Sequence, residues 1–423
     1  MAMKFLFYVS FFLGISTVSF AQQSSVSLDS CIRWAKLNYP LYKQNELYKA
    51  QSNVNLKAIQ EAWLPKLNFN LQAVYQSEVV QFNIPGFNTN FPHDSYLGAL
   101  SVEQTVFDGG MSRNQKEIEK ISAEIEIQKN EVELYKLVDK VNQLYMGILL
   151  AKESIKMFEL LQDNLNKRSV NVAVAVSNGM VLANALDEIE VELLIAQQNT
   201  IEAKENLNAM YENLSMVTGK KIDQSVELLL VPAGGNQMFM SVMRPENTLF
   251  IMQEKLLDER YQLAFNYALP KITVGANGNY GRPGPNFINQ NLRFFGSANI
   301  GLKWNVSTLY GLNREKQKFD LSKKMIEIQR ENLNRNIETT VITFTSQIAA
   351  LDQMMKLDAT ILEKKTAISA IAASQFENGK ITSTVYLLQL NDELSARMKM
   401  KMHEIKRLNA WSNYNATMGL INF

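Results

Sequence analysis

Few side chains in this 423-residue chain could carry reaction chemistry. The two histidines, His93 and His403, stand alone, one in a predicted loop and one on a predicted helix, without metal-ligand spacing. Gly219-Lys220-Lys221 lacks the upstream glycine of a phosphate loop, and the glycines from Gly275 to Gly281 fall on a strand and its exit. Cys31 is the only cysteine, so no internal disulfide can form. The polar stretch Gln22 to Ser30 separates it from the apolar segment before it. That favours a buried thiol on the first helix over a lipid-bearing one. The residues therefore point to no cofactor, no metal and no enzyme. With no nucleotide site, the chain could not draw energy from nucleotide hydrolysis either.

What is patterned is polarity at period two. Leu67, Phe69, Leu71, Ala73 and Tyr75 alternate with Asn68, Asn70, Gln72 and Gln76, broken only by Val74. Tyr96, Gly98, Leu100, Val102 and Val106 alternate with Ser101, Glu103 and Thr105. The same pattern recurs with Ile272, Val274, Ala276, Gly278 and Tyr280 against Thr273, Asn277 and Asn279. It recurs again with Phe294, Gly296, Ala298, Ile300, Leu302, Trp304 and Val306 against Ser297, Asn299, Lys303 and Asn305. Alternation is the signal of a strand buried on one side. Amides and hydroxyls on the other side suit the lumen of a membrane barrel. The predicted membrane strands are 66–78, 95–107, 271–281 and 293–306, each about the length of a tilted spanning strand. Asn305-Val306-Ser307 matches a glycosylation pattern that would lie in that barrel wall. Glu103 and Lys303 occupy matching positions and predict a mixed-charge belt in the lumen. Taken alone, the strands equally fit two hairpins on a soluble core. Four strands cannot close a barrel, and an open edge in lipid leaves backbone groups unpaired, so copies of the chain must complete it.

The elements that position these strands occur twice. Pro40 and Pro65 are 25 residues apart, as are Pro245 and Pro270. Leu64-Pro65-Lys66 and Leu269-Pro270-Lys271 each end a helical pattern and begin a strand, as expected where proline lacks an amide donor. The repeats are read as 28–218 and 245–419, joined by an irregular segment, 219–244, that holds Pro232 and Gly234-Gly235. After each strand pair comes a very long helical pattern. From Met111 to about Val174 there is no proline, giving a helix of roughly 95 Å if unbroken. Its apolar residues (Leu134, Leu137, Val141, Leu144, Ile148, then Ile155, Phe158, Leu161, Leu165) step as a coiled-coil seam. Asn178-Gly179 and Asn378-Gly379 turn each hairpin at a left-handed residue. Lys4, the apolar stretch from Phe5 to Phe20 and Ser19-Phe20-Ala21 read as a secretory signal, residues 1–21, leaving a mature unit of 22–423. The net charge of +1 offers no basic surface for nucleic acid.

In the order of these pieces the chain resembles the TolC-like outer-membrane efflux family. The matching pieces are the two Leu-Pro-Lys junctions, Val106-Phe107-Asp108-Gly109-Gly110 with Arg113, Asn178-Gly179-Met180, Asn378-Gly379-Lys380, and Arg244-Pro245-Glu246 opening the second copy. The resemblance covers about Leu28 to Gly419. The fold class expected is mainly α with a small β part. The resemblance implies a homotrimer whose three chains give a 12-stranded outer-membrane β-barrel continued by a periplasmic α-helical coiled-coil barrel. It also implies docking of a periplasmic adaptor, itself joined to an inner-membrane transporter. The docking surface would be the tips Asn178, Gly179, Met180, Asn378, Gly379 and Lys380. Two departures stand out. Ser307-Thr308-Leu309-Tyr310 replaces the Phe-Asp-Gly expected in the second copy, and Val385 and Leu388 stand where some members carry acidic gate residues. The function expected is a passive export duct of a tripartite efflux or type I secretion system in the bacterial outer membrane. The alternative is a periplasmic coiled-coil scaffold or adhesin. The cargo is not legible.

Overall fold

The computed structural model describes residues 25–79, 83–84, 87–88, 91–179, 182–229, 242–286 and 288–420. The expected leader, Met180 and residues 230–241 of the connecting segment lie outside them. In chain order the elements are β1 (Ser25–Val26), α1 (Leu28–Asn38), a 3-10 turn (Pro40–Lys43), α2 (Gln44–Glu61), β2 (Lys66–Tyr75), β3 (Asn83–Ile84), β4 (Phe87–Asn88), β5 (Asp94–Phe107), α3 (Met111–Tyr135), α4 (Leu137–Ser177) and α5 (Asn184–Thr218). There follow β6 (Glu227–Leu228), α6 (Pro245–Asn266), β7 (Lys271–Arg282), β8 (Arg293–Lys303), a 3-10 turn (Val306–Gly311), α7 (Leu312–Glu377) and α8 (Ser383–Met418). Helix, two strands and a helical hairpin thus occur twice. Among the described residues no helix is long and apolar enough to cross a membrane.

The chain divides into two compact units. One holds the described parts of residues 35–142, 242–360 and 406–420 and contains the sheet. Its strands run in the order β2-β5-β7-β8, all antiparallel, with β2 and β8 as free edges. The helices that enter β2 and β7 end alike. Trp63 and Leu64 donate to Gln60 and Glu61, and Ala268 and Leu269 to Phe265 and Asn266, each three residues back. This tightening brings the chain to Pro65 and Pro270, whose fixed φ forces it into the strand. Around α3, Ile121, Ile125 and Leu134 are buried, and Asn55 donates to Glu119 at 3.0 Å. Ile348 on α7 packs with Ala410 and Tyr414 on α8.

The other unit holds the described parts of residues 25–34, 143–229 and 361–405. Leu161, Leu165 and Val172 of α4, Ile189 and Ala196 of α5, Ala372 and Phe376 of α7, and Tyr386 and Leu390 of α8 form one core. The two hairpins bury their seams against each other, the usual outlet for a heptad stripe. Within the connecting segment, Glu227–Leu228 forms β6 and pairs in parallel with β1. The segment is therefore not wholly irregular. Tyr145 holds the pair, its hydroxyl 2.8 Å from the carbonyls of both Val26 and Leu229. Cys31 on α1 is fully buried, and burial pushes its thiol up to about 12.

Three expectations need correction. The helix from Met111 is not continuous, because the Lys136 amide bonds Glu133, three residues back, and breaks the α ladder. Gln76 lies past the end of β2: its amide bonds the His93 carbonyl at 2.7 Å, and Pro92 before it has no amide to extend the ladder. Trp304, Asn305 and Val306 lie past β8, which ends at Lys303 opposite Lys271, the first residue after the donorless Pro270. Val306 opens a 3-10 turn, and Asn305 accepts from the Ser307 hydroxyl at 2.6 Å. Neither Gln76 nor Asn305 is a strand residue, and the glycosylation-like triplet lies outside the sheet.

Candidate functional site

The pairing register decides which strand residues share a face, because residues directly opposite in an antiparallel ladder project to the same side. Asn68 is opposite Ser101, which is opposite Asn277, which is opposite Ser297. Asn70 leads through Ala99 to Asn279, and Thr105 faces Thr273. Gln72 is opposite Leu97, and Asn299 is opposite Gly275, itself paired with Glu103. Asn68, Asn70, Gln72, Ser101, Glu103, Thr105, Thr273, Asn277, Asn279, Ser297, Asn299 and Lys303 therefore lie on one face. The opposite face carries the apolar set. Leu67, Phe69 and Leu71 are about 70% exposed and Ile300 is 81% exposed, with aromatic Tyr75, Tyr96, Tyr280 and Phe294 toward one end. Contiguous apolar surface on this scale marks an interaction with something apolar. Arg282 and Asp94 form an ion pair at that aromatic end, and the Arg282 guanidinium lies over the Tyr96 ring.

The charges fall differently from a simple belt. Glu103 is opposite Lys66, not beside Lys303, and Lys303 is opposite Lys271.

The two hairpin turns are built alike. Gly179 has φ +71° and Gly379 φ +67°, and a Cβ on either would meet nothing within 4 Å. Gly179 donates to Val176 at 2.9 Å and Gly379 to Phe376 at 3.0 Å, while Lys380 donates to Gln375 at 2.8 Å. The latter pair is a Schellman closure, which satisfies carbonyls that the helix end would orphan. Asn378 adds a side-chain bond to Ser374 at 2.7 Å. Beside the second turn, Phe376 stacks on Tyr386 at 5.3 Å and the Arg168 guanidinium lies 4.7 Å from the Tyr386 ring. Val385 and Leu388 on α8 are 45% and 58% exposed and border a groove with Val191 and Glu188 of α5. Glu188 accepts from Thr384 at 3.0 Å.

A four-stranded sheet with one polar and one bare apolar face, in a chain built of long helical hairpins, sets the comparison with known proteins. Residues 32–220 match the model of the family described as outer membrane efflux protein. That segment, the first repeat, is similar to the outer membrane efflux protein family. No curated protein sequence matches it. Among solved structures, the outer membrane protein VceC of Vibrio cholerae superposes with a TM-score of 0.68 at 11% identity, covering 93% of this chain and 96% of that one. The Campylobacter jejuni CmeC outer membrane channel gives 0.64 at 13% identity, covering 93% of this chain and 85% of that one. The open-state MtrE outer membrane channel of Neisseria gonorrhoeae gives 0.65 at 13%, covering 93% and 88%. At such identities the likeness is one of fold. The chain is mostly helical with a small sheet, as those channels are.

The junction between β5 and α3 explains the Asp-Gly-Gly run. Asp108 accepts from the Gly110 amide at 2.8 Å and from the Ser112 amide and hydroxyl at 2.7 and 2.6 Å. Burial alone would raise its carboxyl, but these bonds hold it below the usual carboxylate range. Gly109 has φ +71°, and a Cβ there would sit 2.9 Å from Cβ of Leu269. At the equivalent place in the second copy the chain makes a 3-10 turn, matching its different residues. Beneath Gly110, Asn266 donates to Asn114 at 2.5 Å and Asn114 to Glu259 at 2.8 Å.

Three charged residues of the polar face were missed in the sequence reading: Lys66, Lys271 and Arg293, the last opposite Gly281. Their parity with Asn68, Thr273 and Ser297 was the available signal. Val74, Leu97 and Phe295 also fall on this face, at its far end from Lys271. No group of His, Cys, Asp or Glu suited to a metal occurs among the described residues.

Proposed function

We propose that this protein is the outer-membrane duct of a multi-component export system, assembled as a homotrimer. The observation that carries this is the two-faced sheet: its bare apolar side suits lipid and its amide-rich side suits a water-filled lumen. From Ile272 to Tyr280 the apolar face of β7 runs about 27 Å along the strand, in keeping with a tilted span. Both edges, β2 and β8, have unpaired backbone groups, which lipid does not tolerate. Because four antiparallel strands alternate in direction, β8 of one copy meets β2 of the next in antiparallel sense, and three copies give twelve strands. In this reading the helical hairpins form a periplasmic coiled-coil barrel. Their turns at Asn178-Gly179 and Asn378-Gly379-Lys380, with Met180, dock a periplasmic adaptor joined to an inner-membrane transporter. Val385 and Leu388 themselves supply no acid to a closure near the second turn, where Asp187, Glu188 and Glu192 of α5 border the same groove.

The test is assembly. Outer-membrane fractions from cells making the native protein, run unheated in mild detergent, should give a trimer that heating dissociates. A monodisperse monomer with native strand content, or recovery in the soluble periplasmic fraction, overturns the reading and favours a periplasmic scaffold.

A further inference from the structure

We propose that the barrel wall favours anionic cargo, solutes bearing carboxylate or phosphate groups, through the basic pair Lys271 and Lys303; this rests on the lumen assignment above. The two repeats place a strand pair at equivalent positions. In the first, Lys66 faces Glu103, a compensated pair. In the second, Lys271 faces Lys303. Like charges directly opposite destabilise a ladder, so the second pair has no advantage for the sheet itself. The Lys271 ammonium lies 5.7 Å from the centroid of the Tyr267 ring, a contact that orients a cation without neutralising it. Among the paired residues of the sheet, the polar face carries Lys66, Lys271, Lys303 and Arg293 against a single acid, Glu103. The charges on the other face, Arg282 and Asp94, cancel in their ion pair. The excess positive charge thus belongs to the face assigned to the lumen, repeated in every copy, and rings of lysine are the device by which pores prefer anions.

The experiment uses the full-length trimer in planar bilayers across a potassium chloride gradient. The native protein should give a reversal potential of anion-preferring sign. Lys271→Gln with Lys303→Gln should lower the chloride-to-potassium permeability ratio on the order of threefold, and the preference should fade near 1 M salt, where the Debye length is about 3 Å. The paired neutral change Lys66→Gln with Glu103→Gln, which leaves net charge unaltered, should leave the ratio in place. Since removing a like-charge pair relieves the ladder, the variant trimer should assemble as well as the native one. Potassium preference in the native channel, or an unchanged ratio in the Lys271 and Lys303 variant, overturns the proposal while leaving the duct reading intact. A bilayer-inserted trimer that passes no current overturns the duct reading and the proposal with it.

Discussion

Leu100 and Ser101 are neighbours at the middle of β5, and the register sends them to opposite faces. Leu100 is 52% exposed in the single chain, between Phe69 and Gly278 on the apolar face. Ser101 stands between Asn68 and Asn277 and makes only a long hydroxyl contact, 3.4 Å, to the Asn68 carbonyl. If the apolar face meets lipid, Leu100→Lys places an ammonium near the bilayer midplane at a cost of about 2–4 kcal/mol per chain. Three copies multiply this to roughly 6–12 kcal/mol per trimer, enough to empty the assembled state. Ser101→Lys projects the same group into the lumen and forfeits one weak hydrogen bond, a loss of about 1 kcal/mol or less. The assay is the yield and dissociation temperature of the heat-modifiable trimer recovered from outer membranes. Leu100→Lys should abolish or sharply lower both, and Ser101→Lys should match the native protein. Equal damage from the two substitutions would falsify the two-faced wall. Greater damage from Ser101→Lys would invert it, with the amide face outward.

Cys31 should be inert to alkylation in the native protein at pH 8 and react once the chain is unfolded, because a thiol raised to about 12 holds roughly a thousandfold less thiolate than an unperturbed one at 9.0. Rapid native labelling would show that α1 opens or is misplaced. At the second hairpin turn, Gly379→Val meets open space and strains only the backbone, by about 1–2 kcal/mol, so the trimer should still reach the outer membrane. Export should be lost in Gly379→Val and also in Gly379→Asn, whose residue tolerates φ +67°. Full export by the Asn variant would assign the glycine to turn geometry alone and remove the docking role.

Parity within one strand was legible from the residues, because it depends only on the alternation of neighbours along a single chain. Asn68, Asn70 and Gln72 had to oppose Leu67, Phe69 and Leu71 wherever β2 paired. The left-handed turns at Gly179 and Gly379, and the helix-to-strand junctions at Pro65 and Pro270, were legible for the same reason: each is a local backbone constraint. Partnership is a property of two segments, and only the tertiary structure decided it. Nothing local says that β5 lies between β2 and β7, or that Lys271 meets Lys303 while Lys66 meets Glu103. Strand ends followed from the partner too, so Gln76 and Asn305 fell outside the ladder where prolines across the sheet left it without a donor. The parallel pair of β1 and β6, too short for any periodicity, exists because two segments some two hundred residues apart meet beside Tyr145. Side-chain alternation is written along the chain, whereas register is settled by which backbone groups find each other across it.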